Sequence, residues 1–440
     1  MNKKLLTLAV AAAMAAPTAA MAEAIIYGDL HVSVDYAHIQ GFDTLGYINQ
    51  TTGRPATETV RIGGKPTQVP ITEAKSFNGW GVNGDLGAST PTQGAAGRSG
   101  RNNRIGFKGS EDLGNGLKAI YNVTIGVDLS GDNNTANNIG SGVDNGIDMQ
   151  NTYVGLASDF GTLMVGRNDT PLKTSTAKLD LFADTMADYN ATVGFDDVRA
   201  DNAIAYVSPN FSGFQIAGAV ISGGASTVGA KENINSNSIG DGYSVAGIYS
   251  NGPFMGSIAY EGLSNELYMS SQTSEYGFTN VPAGNPGYVR DDYTKWRVGL
   301  GMLDWNGFTL TGIYEEQSGK AGGQVDPVGA AGGSQLEAGG GNWTNTPKNL
   351  TLWQVQGGYA FGNSMIKAMY GAGERDKNSL YIPAKGVDTS AVDGSYSTWA
   401  VAFDYNFSKR TKAYILYNEY NDDIALGDWT GVSVGMIHHF

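Results

Sequence analysis

The sequence predicts an all-β fold, a sixteen-stranded antiparallel transmembrane β-barrel, and three observations carry that prediction. The chain opens on a secretion leader, it closes on an alternating strand with a terminal aromatic residue, and its connections sort into short and long. A barrel in the outer membrane of a Gram-negative cell satisfies all three.

The leader comes first. Lys3 and Lys4 precede an apolar run from Leu5 to Ala16, and Ala20-Met21-Ala22 offers small residues for cleavage before Glu23. Residues 1–22 therefore read as a signal peptide and 23–440 as a single barrel. The run is shorter than the roughly 20 residues a spanning helix requires, and no later stretch reaches that length. Membrane residence must come from strands.

Composition narrows the class. The 28 basic and 42 acidic side chains give a formal charge of −14, and removing the leader's two lysines takes it to −16. Such a chain repels phosphate, which excludes nucleic acid as a partner. The absence of cysteine removes disulfide frameworks, zinc clusters and thiol chemistry. Abundant glycine and tyrosine with a mean hydropathy of −0.22 suit strands that have one apolar face. A secreted soluble β-protein remains open on composition alone; the order of the elements separates the two.

A first strand around Ile25 to Tyr36 leads into a long loop, 39 to 100, and a second strand from Arg104 turns at EDLGNG, 111–116. In LKAIYNVTIGVD the residues Leu117, Ala119, Tyr121, Val123, Ile125 and Val127 share one face while Lys118, Asn122, Thr124 and Asp128 share the other. A loop at 129–149 and a turn at SDFG, 158–161, lead to the loop 169–199; the turn SPNFSG, 208–213, follows, then the loop 222–242. Beyond SNGP, 250–253, and the loop 263–291, Trp296, Val298 and Leu300 alternate with Lys295 and Arg297 before the turn DWNG, 304–307. After the loop 317–349, Trp353, Val355 and Tyr359 oppose Gln354 and Gln356, with a turn at FGN, 361–363. The loop 376–396 precedes a face of Trp399, Val401, Phe403 and Tyr405 opposite Asp404, then the turn NFSKRT, 406–411, and a shorter loop, 421–428. In the final strand Val432, Val434, Met436, His438 and Phe440 alternate with smaller or more polar residues.

Seven short turns and eight long loops make fifteen connections, hence sixteen strands. Tyr206, Tyr243, Tyr249, Tyr260, Tyr293, Tyr314, Tyr370 and Tyr417 are expected in the interfacial girdles. A barrel this wide leaves a lumen that side chains cannot fill, so a channel is the expected function.

The loop 169–199 carries the clearest site signal. Asp180, Asp184 and Asp188 recur every four residues, so a helical turn would set three carboxylates on one face while Leu181, Phe182 and Met186 pack toward the wall. An acidic face in a water-filled barrel is one half of a selectivity constriction; solvated surface acids or helix caps are the other reading of the same spacing. For the basic half, parity places Arg104 and Lys108 opposite Ile105 and Phe107, and Arg199 opposite Ile204 and Tyr206 unless a bulge intervenes. Lys118 faces inward but belongs near the short-turn end. Arg167 reads as an anchor for the start of the loop.

RIGFKGSEDLGNGLKAIYNV (104–123), TYVGLASDFGTLMVGRNDTP (152–171), DNAIAYVSPNFSGF (201–214), SKRTKAYILY (408–417) and the ending VGMIHHF resemble, in order and from first strand to last, the Gram-negative general porin family of the beta- and gammaproteobacterial type. The resemblance implies a homotrimer of sixteen-stranded barrels whose third extracellular loop folds inward, and a terminal Phe440 read by the barrel-assembly machinery. It implies an outer-membrane channel for passive diffusion of small hydrophilic solutes and ions, with outer-membrane lipid and lipopolysaccharide as neighbours. Arg104 and Arg199 occupy positions similar to members of the family's basic cluster. Gln150 stands where several relatives carry another arginine, a departure that weakens the expected field. With the mature chain at −16, a mild cation preference is expected.

Other functions have less support. The histidines are His31, His38, His438 and His439, all in the first or last strand, and there is no GxSxG, so neither an enzyme nor a cofactor is expected. A substrate-specific porin for sugars or anions, and an adhesin or structural barrel built on the loop 39–100, are the alternatives. DLSGDNNTANN (128–138) and DNGID (144–148) are oxygen-rich, but their spacing is not that of an EF-hand loop, and no metal site is assigned.

Overall fold

The structure, a computed structural model, describes residues 23–39, 48–49, 54–55, 57–62, 65–70, 77–84, 101–130, 147–222, 238–264, 293–318, 349–375, 394–422 and 428–440. The leader and most of the long loops lie outside these. Sixteen strands form the wall: β1 (Glu23–Ile39), β2 (Arg104–Gly114), β3 (Leu117–Val127), β4 (Ile147–Ser158), β5 (Gly161–Asp169), β6 (Arg199–Val207), β7 (Phe214–Ile221) and β8 (Gly242–Asn251). The other half is β9 (Phe254–Leu263), β10 (Tyr293–Trp305), β11 (Phe308–Ser318), β12 (Asn349–Phe361), β13 (Ser364–Arg375), β14 (Gly394–Asn406), β15 (Thr411–Asp422) and β16 (Trp429–His439). No helix among the described residues is long and apolar enough to cross a membrane.

Every strand pairs antiparallel with its neighbours in sequence, and β16 returns to β1 in a register running from Asp29 opposite His439 to Ile39 opposite Trp429. Two further backbone bonds finish the seam, Phe440 N–H to the Gly28 carbonyl at 3.0 Å and Gly28 N–H to the Phe440 carbonyl at 3.1 Å. Closure satisfies every edge, which an apolar bilayer demands. All seven short turns fall where the sequence places them, and Gly114, Asn115 and Gly116 take φ of 85°, 55° and 77° at the first, a left-handed run suited to those residues.

Alternation sets the two faces. On β3 the buried Asn122 and Thr124 point inward, and on β12 Gln354 and Gln356 do, while Trp353, Val355 and Tyr359 stand exposed outside. Tyr293 departs from the girdle expectation: it is fully buried on the face of Lys295 and Arg297. The first long connection also differs from a plain loop. Phe77–Asn83 continues the line of β2 along the outer half of β1, pairing Phe77 with Ile39 and Asn83 with Ser33, and the backbone forms two small hairpins, 48–49 with 54–55 and 57–62 with 65–70. Runs of Thr, Val and Pro without a clean apolar face hid these pairings.

The apolar core lies between the wall and an inserted loop. Leu179, Phe182, Met186, Val193 and Phe195, all from the segment between β5 and β6, form one cluster with wall residues such as Ile313, Leu352, Tyr396, Leu416 and Trp429.

Candidate functional site: the inserted loop and the lumen wall

The loop begins where β5 ends. Thr170 caps a short helix, α1 (Pro171–Thr176), by accepting the Lys173 N–H at 3.4 Å, and Pro171 opens the helix, where a missing N–H costs nothing. Thr170 N–H donates to the Val198 carbonyl at 3.0 Å and ties the two ends of the loop together. Asp169 reinforces this neck: Lys173 Nζ and Arg199 Nε each lie 2.9 Å from its Oδ1.

From α1 the chain runs across the wall as a series of turns, then a second short helix, α2 (Tyr189–Thr192), capped by Asp188. Apolar side chains of the loop seat over wall glycines. A Cβ at Gly299 or Gly301 would lie 2.5 Å from a Leu179 methyl, one at Gly371 would meet Val193 at 2.5 Å, and one at Gly431 would run into the Met186 sulfur. Wall side chains also satisfy the loop's carbonyls, which have no regular structure to do so. Thr311 Oγ1 donates to Leu179 at 2.8 Å, Lys367 Nζ to Leu181 at 2.7 Å, Lys295 Nζ to Asp196 at 2.6 Å and the Tyr396 hydroxyl to Val193 at 2.6 Å.

A buried ion-pair network fastens the far end. Arg297 reaches Glu315 Oε2 at 2.5 Å, Asp197 Oδ1 at 2.7 Å and Thr176 Oγ1 at 2.9 Å, and Lys295 pairs with Glu261 at 2.8 Å. The lysine and arginine side chains are wholly shielded from solvent, so charges from the wall and from the far end of the loop compensate one another, while Thr176 brings a neutral hydroxyl from the near end.

The three expected acidic residues come together, but not on a helical face. Asp184 has φ of 59°, which no α-helix tolerates, and its N–H donates to Asp188 Oδ2 at 2.7 Å. Asp188 also accepts the Asn190 N–H, and Asp180 accepts from Phe182 N–H at 2.9 Å and Gln356 Nε2 at 3.0 Å. Asp180 and Asp188 are only 9% and 8% exposed, tucked between loop and wall, whereas Asp184 is half-buried and accepts from Asn102 Nδ2 at 3.4 Å. Burial pushes the Asp180 carboxyl up to about 6. Burial raises Asp184 as well, against the pull of Arg104. Burial and the charges of Asp180 and Asp184 hold Asp188 well above the ordinary carboxylate range.

The basic candidates are distributed differently. Arg104 pairs with Asp29 at 2.5 Å, a carboxylate that also contacts the His439 ring, and Asp184 is among the charges that act on it. Lys108 is exposed, its ammonium 4.9 Å from the centre of the Tyr27 ring. Arg199 sits at the loop neck on Asp169, and a bulge does intervene: β5 advances two residues from Gly166 to Asn168 while β6 spans three from Ala203 to Ala200, so simple parity does not reach Arg199. Gln150 donates to Asn102 Oδ1 at 2.8 Å, so a neutral amide relay leads from Gln150 through Asn102 to Asp184. Arg167 pairs with Asp201 instead of reaching into the loop.

Parity could have found Asp29, which shares the inward face of His31, Ser33 and Asp35. Nothing in the spacing pointed to the Arg297 clasp, because its partners lie 18 and 100 residues away.

The profile of the Gram-negative porin family matches residues 9–425. Over 474 aligned positions the chain is 28% identical to the major outer membrane protein P.IA of Neisseria meningitidis serogroup C, with both chains covered completely. It is 27% identical to outer membrane porin protein 32 of Delftia acidovorans, over 68% of this chain and 82% of that one. Among solved structures, the anion-selective porin from Comamonas acidovorans matches with a TM-score of 0.54 at 18% identity, covering 96% of this chain and 100% of that one. Salmonella typhi OmpF, in complex with daunomycin, matches at 0.53 and 15%, covering 95% and 97%. The closed sixteen-stranded wall, the polar lumen with a loop laid across it and the match along nearly the whole chain lead to one conclusion: the protein belongs to the Gram-negative porin family, as an outer-membrane general diffusion channel.

Proposed function

We propose that passage is selected at the inserted loop, by size and polarity, in a gap framed by Asp184 on one side and Arg104 and Lys108 on the other. The observation that carries this reading is the seating of the loop on the wall glycines and the Arg297 clasp, which keeps a folded segment inside the lumen. Arg199 supports the loop's neck, and Asp180 and Asp188 shape the turn that presents Asp184. Small hydrated solutes and ions pass; large apolar ones are excluded.

A mild cation preference accompanies this reading. Wall cations are largely neutralised by partners, Arg101 by Asp35, Arg104 by Asp29 and Lys367 by Asp404, which leaves the excess acid of the chain to set the sign while Lys108 opposes it. Single-channel recording in a planar bilayer, with reversal potentials in a salt gradient and liposome swelling over a graded sugar series, tests both parts. A smooth size cut-off with a modest cation potential supports the proposal; saturable block by one sugar or a clear anion potential refutes it.

The assembly is a homotrimer. Outward side chains on β16 and β1–β5 are chiefly aliphatic, including Val434, Val34, Val154, Leu156 and Val165, whereas the exposed Tyr and Trp of the lipid girdle concentrate on β6–β15. A wall sector poor in girdle residues, with the exposed Trp80 beside β1 as an exception, suits contact with further copies. Val154→Asp, against lipid and against a neighbour alike in polarity but not in geometry, should abolish the trimer band on native gels while leaving a folded monomer. Phe440 remains the proposed signal for the assembly machinery.

A further inference from the structure

Two places on the outer wall repeat one arrangement of side chains that neither the pore nor the seam uses. On β10 and β11, Trp296 stands across from Glu316 and Thr294 across from Ser318, with Tyr314 two residues before the glutamate. On β14 and β15, Trp399 stands across from Glu419 and Ser397 across from Asn421, with Tyr417 two residues before. The ring pairs agree closely: 5.2 Å and 45° for Trp296 and Tyr314, 5.1 Å and 44° for Trp399 and Tyr417. In both, the tyrosine hydroxyl donates to the glutamate, at 2.7 Å and 3.2 Å. Glu316 also accepts from Trp296 Nε1 at 3.0 Å, and Glu419 from Asn421 Nδ2 at 3.3 Å.

The hairpin between them shows that an aromatic girdle does not need the carboxylate. On β12 and β13, Trp353 and Tyr370 pair at 5.5 Å, yet Ala372 stands across from the tryptophan. A carboxylate on the outer wall is unfavourable in hydrocarbon, least so near the interface, and both glutamates lie close to the long-loop ends of their strands. At the first place the side chains border a groove of about 350 Å³ whose lining includes Tyr260, Thr294, Trp296, Glu316, Ser318 and Asn349.

Flat rings beside a carboxylate, hydroxyls and an amide match the two faces of a pyranose. Its C–H face lies on an aromatic ring, and its hydroxyls donate charge-assisted bonds to the carboxylate. A phosphate is poorly served: Lys295 borders the groove, but its ammonium is committed to Glu261 and the Asp196 carbonyl on the lumen side. What meets the outer wall at this height is the headgroup layer of the membrane. We propose that the two constellations hold the sugar headgroup of an outer-leaflet glycolipid, an inference that rests on the outer-membrane placement of the barrel.

The test refolds the full-length mature protein with lipopolysaccharide in phosphatidylcholine nanodiscs, re-extracts it in mild detergent and counts retained glycolipid per barrel by mass spectrometry. The Glu316→Gln/Glu419→Gln variant should retain about fivefold less, the difference between a charge-assisted and a neutral hydrogen bond. Trp296→Phe/Trp399→Phe should lose a similar amount. Glu374→Gln removes an exposed carboxylate on the outward face of β13, outside both constellations, and should retain as much as wild type. Equal retention in all variants, or an equal loss in Glu374→Gln, overturns the proposal. Equal retention of phosphatidylethanolamine in place of lipopolysaccharide overturns the sugar chemistry. Heat-modifiable gel migration reports folding in every variant, and unchanged single-channel conductance separates this site from the pore.

Discussion

Leu179 occupies the space that a side chain at Gly299 would need, with its methyl 2.5 Å from where a Cβ would stand. The relationship between loop and wall is thus one of knob and slot, and the slot exists because β10 carries glycine at two successive inward positions, 299 and 301.

Gly299→Val should therefore unseat the loop without breaking the barrel. Overfilling a packed contact costs about 1–3 kcal/mol, enough to loosen one segment but not sixteen paired strands. Liposome swelling should show a larger cut-off, and single channels should become noisier. An unchanged cut-off would mean that the loop is held by its polar bonds alone.

Arg297→Met should be more damaging. Removing one member of a buried ionic network typically costs about 3–5 kcal/mol, because Glu315 and Asp197 would be left without their cation. Protease cleavage within 170–198 should rise sharply, and adding Glu315→Gln to the same chain should restore part of the protection.

The aspartate cluster predicts a pH dependence with a definite sign. Burial lifts the Asp180 carboxyl to about 6 and raises Asp184 and Asp188 too, against about 3.9 in an unfolded chain. Groups raised on folding contribute stability that is full below the unfolded value and lost as pH rises through the folded one. Loop seating should be firmest below about pH 4 and loosen as the pH rises through about 6. The charge facing Arg104 disappears in the opposite direction, so the cation reversal potential should shrink on acidification from pH 7.5 to 4.5. Asp184→Asn should flatten that response; a wild-type response already flat would refute it.

The seam offers a paired test of Phe440. A Cβ at Gly28 would lie 2.5 Å from both the Phe440 ring and the Arg104 carbonyl, so Gly28→Val displaces the terminal ring while keeping it in the chain. Deletion of Phe440 and Gly28→Val should both lower the yield of inserted barrels, and barrels that form should conduct normally. Normal assembly with altered conductance in the deletion would contradict the proposed role.

The wall was legible because a period of two leaves a mark on every strand, and Trp296-Arg297-Val298 or Gln354-Val355-Gln356 cannot be read another way. The loop was legible in content but not in shape. A spacing of four suggested a helix at Asp180, Asp184 and Asp188, whereas side chains that bond their own turns, as Asp188 does to Asp184 N–H, favour a chain of bends. The parity reading of Arg199 holds only without a bulge, and one extra residue in β6 inverts everything beyond it. Tyr293 looked like a girdle residue because tyrosine suits either a membrane interface or a buried wall, and only the register with Lys295 decides.

The union of β1 with β16 also dictates an order of events. Asp29 meets a histidine 410 residues later in the chain, so the contact that removes the last free edge spans nearly the whole polypeptide. Hairpins between neighbours close short loops, but the loop-closing entropy of this last pairing is recovered only once the final residue is in place. Truncated or stalled chains therefore remain open sheets with unpaired edges, and the ring acts as its own proofreader for length.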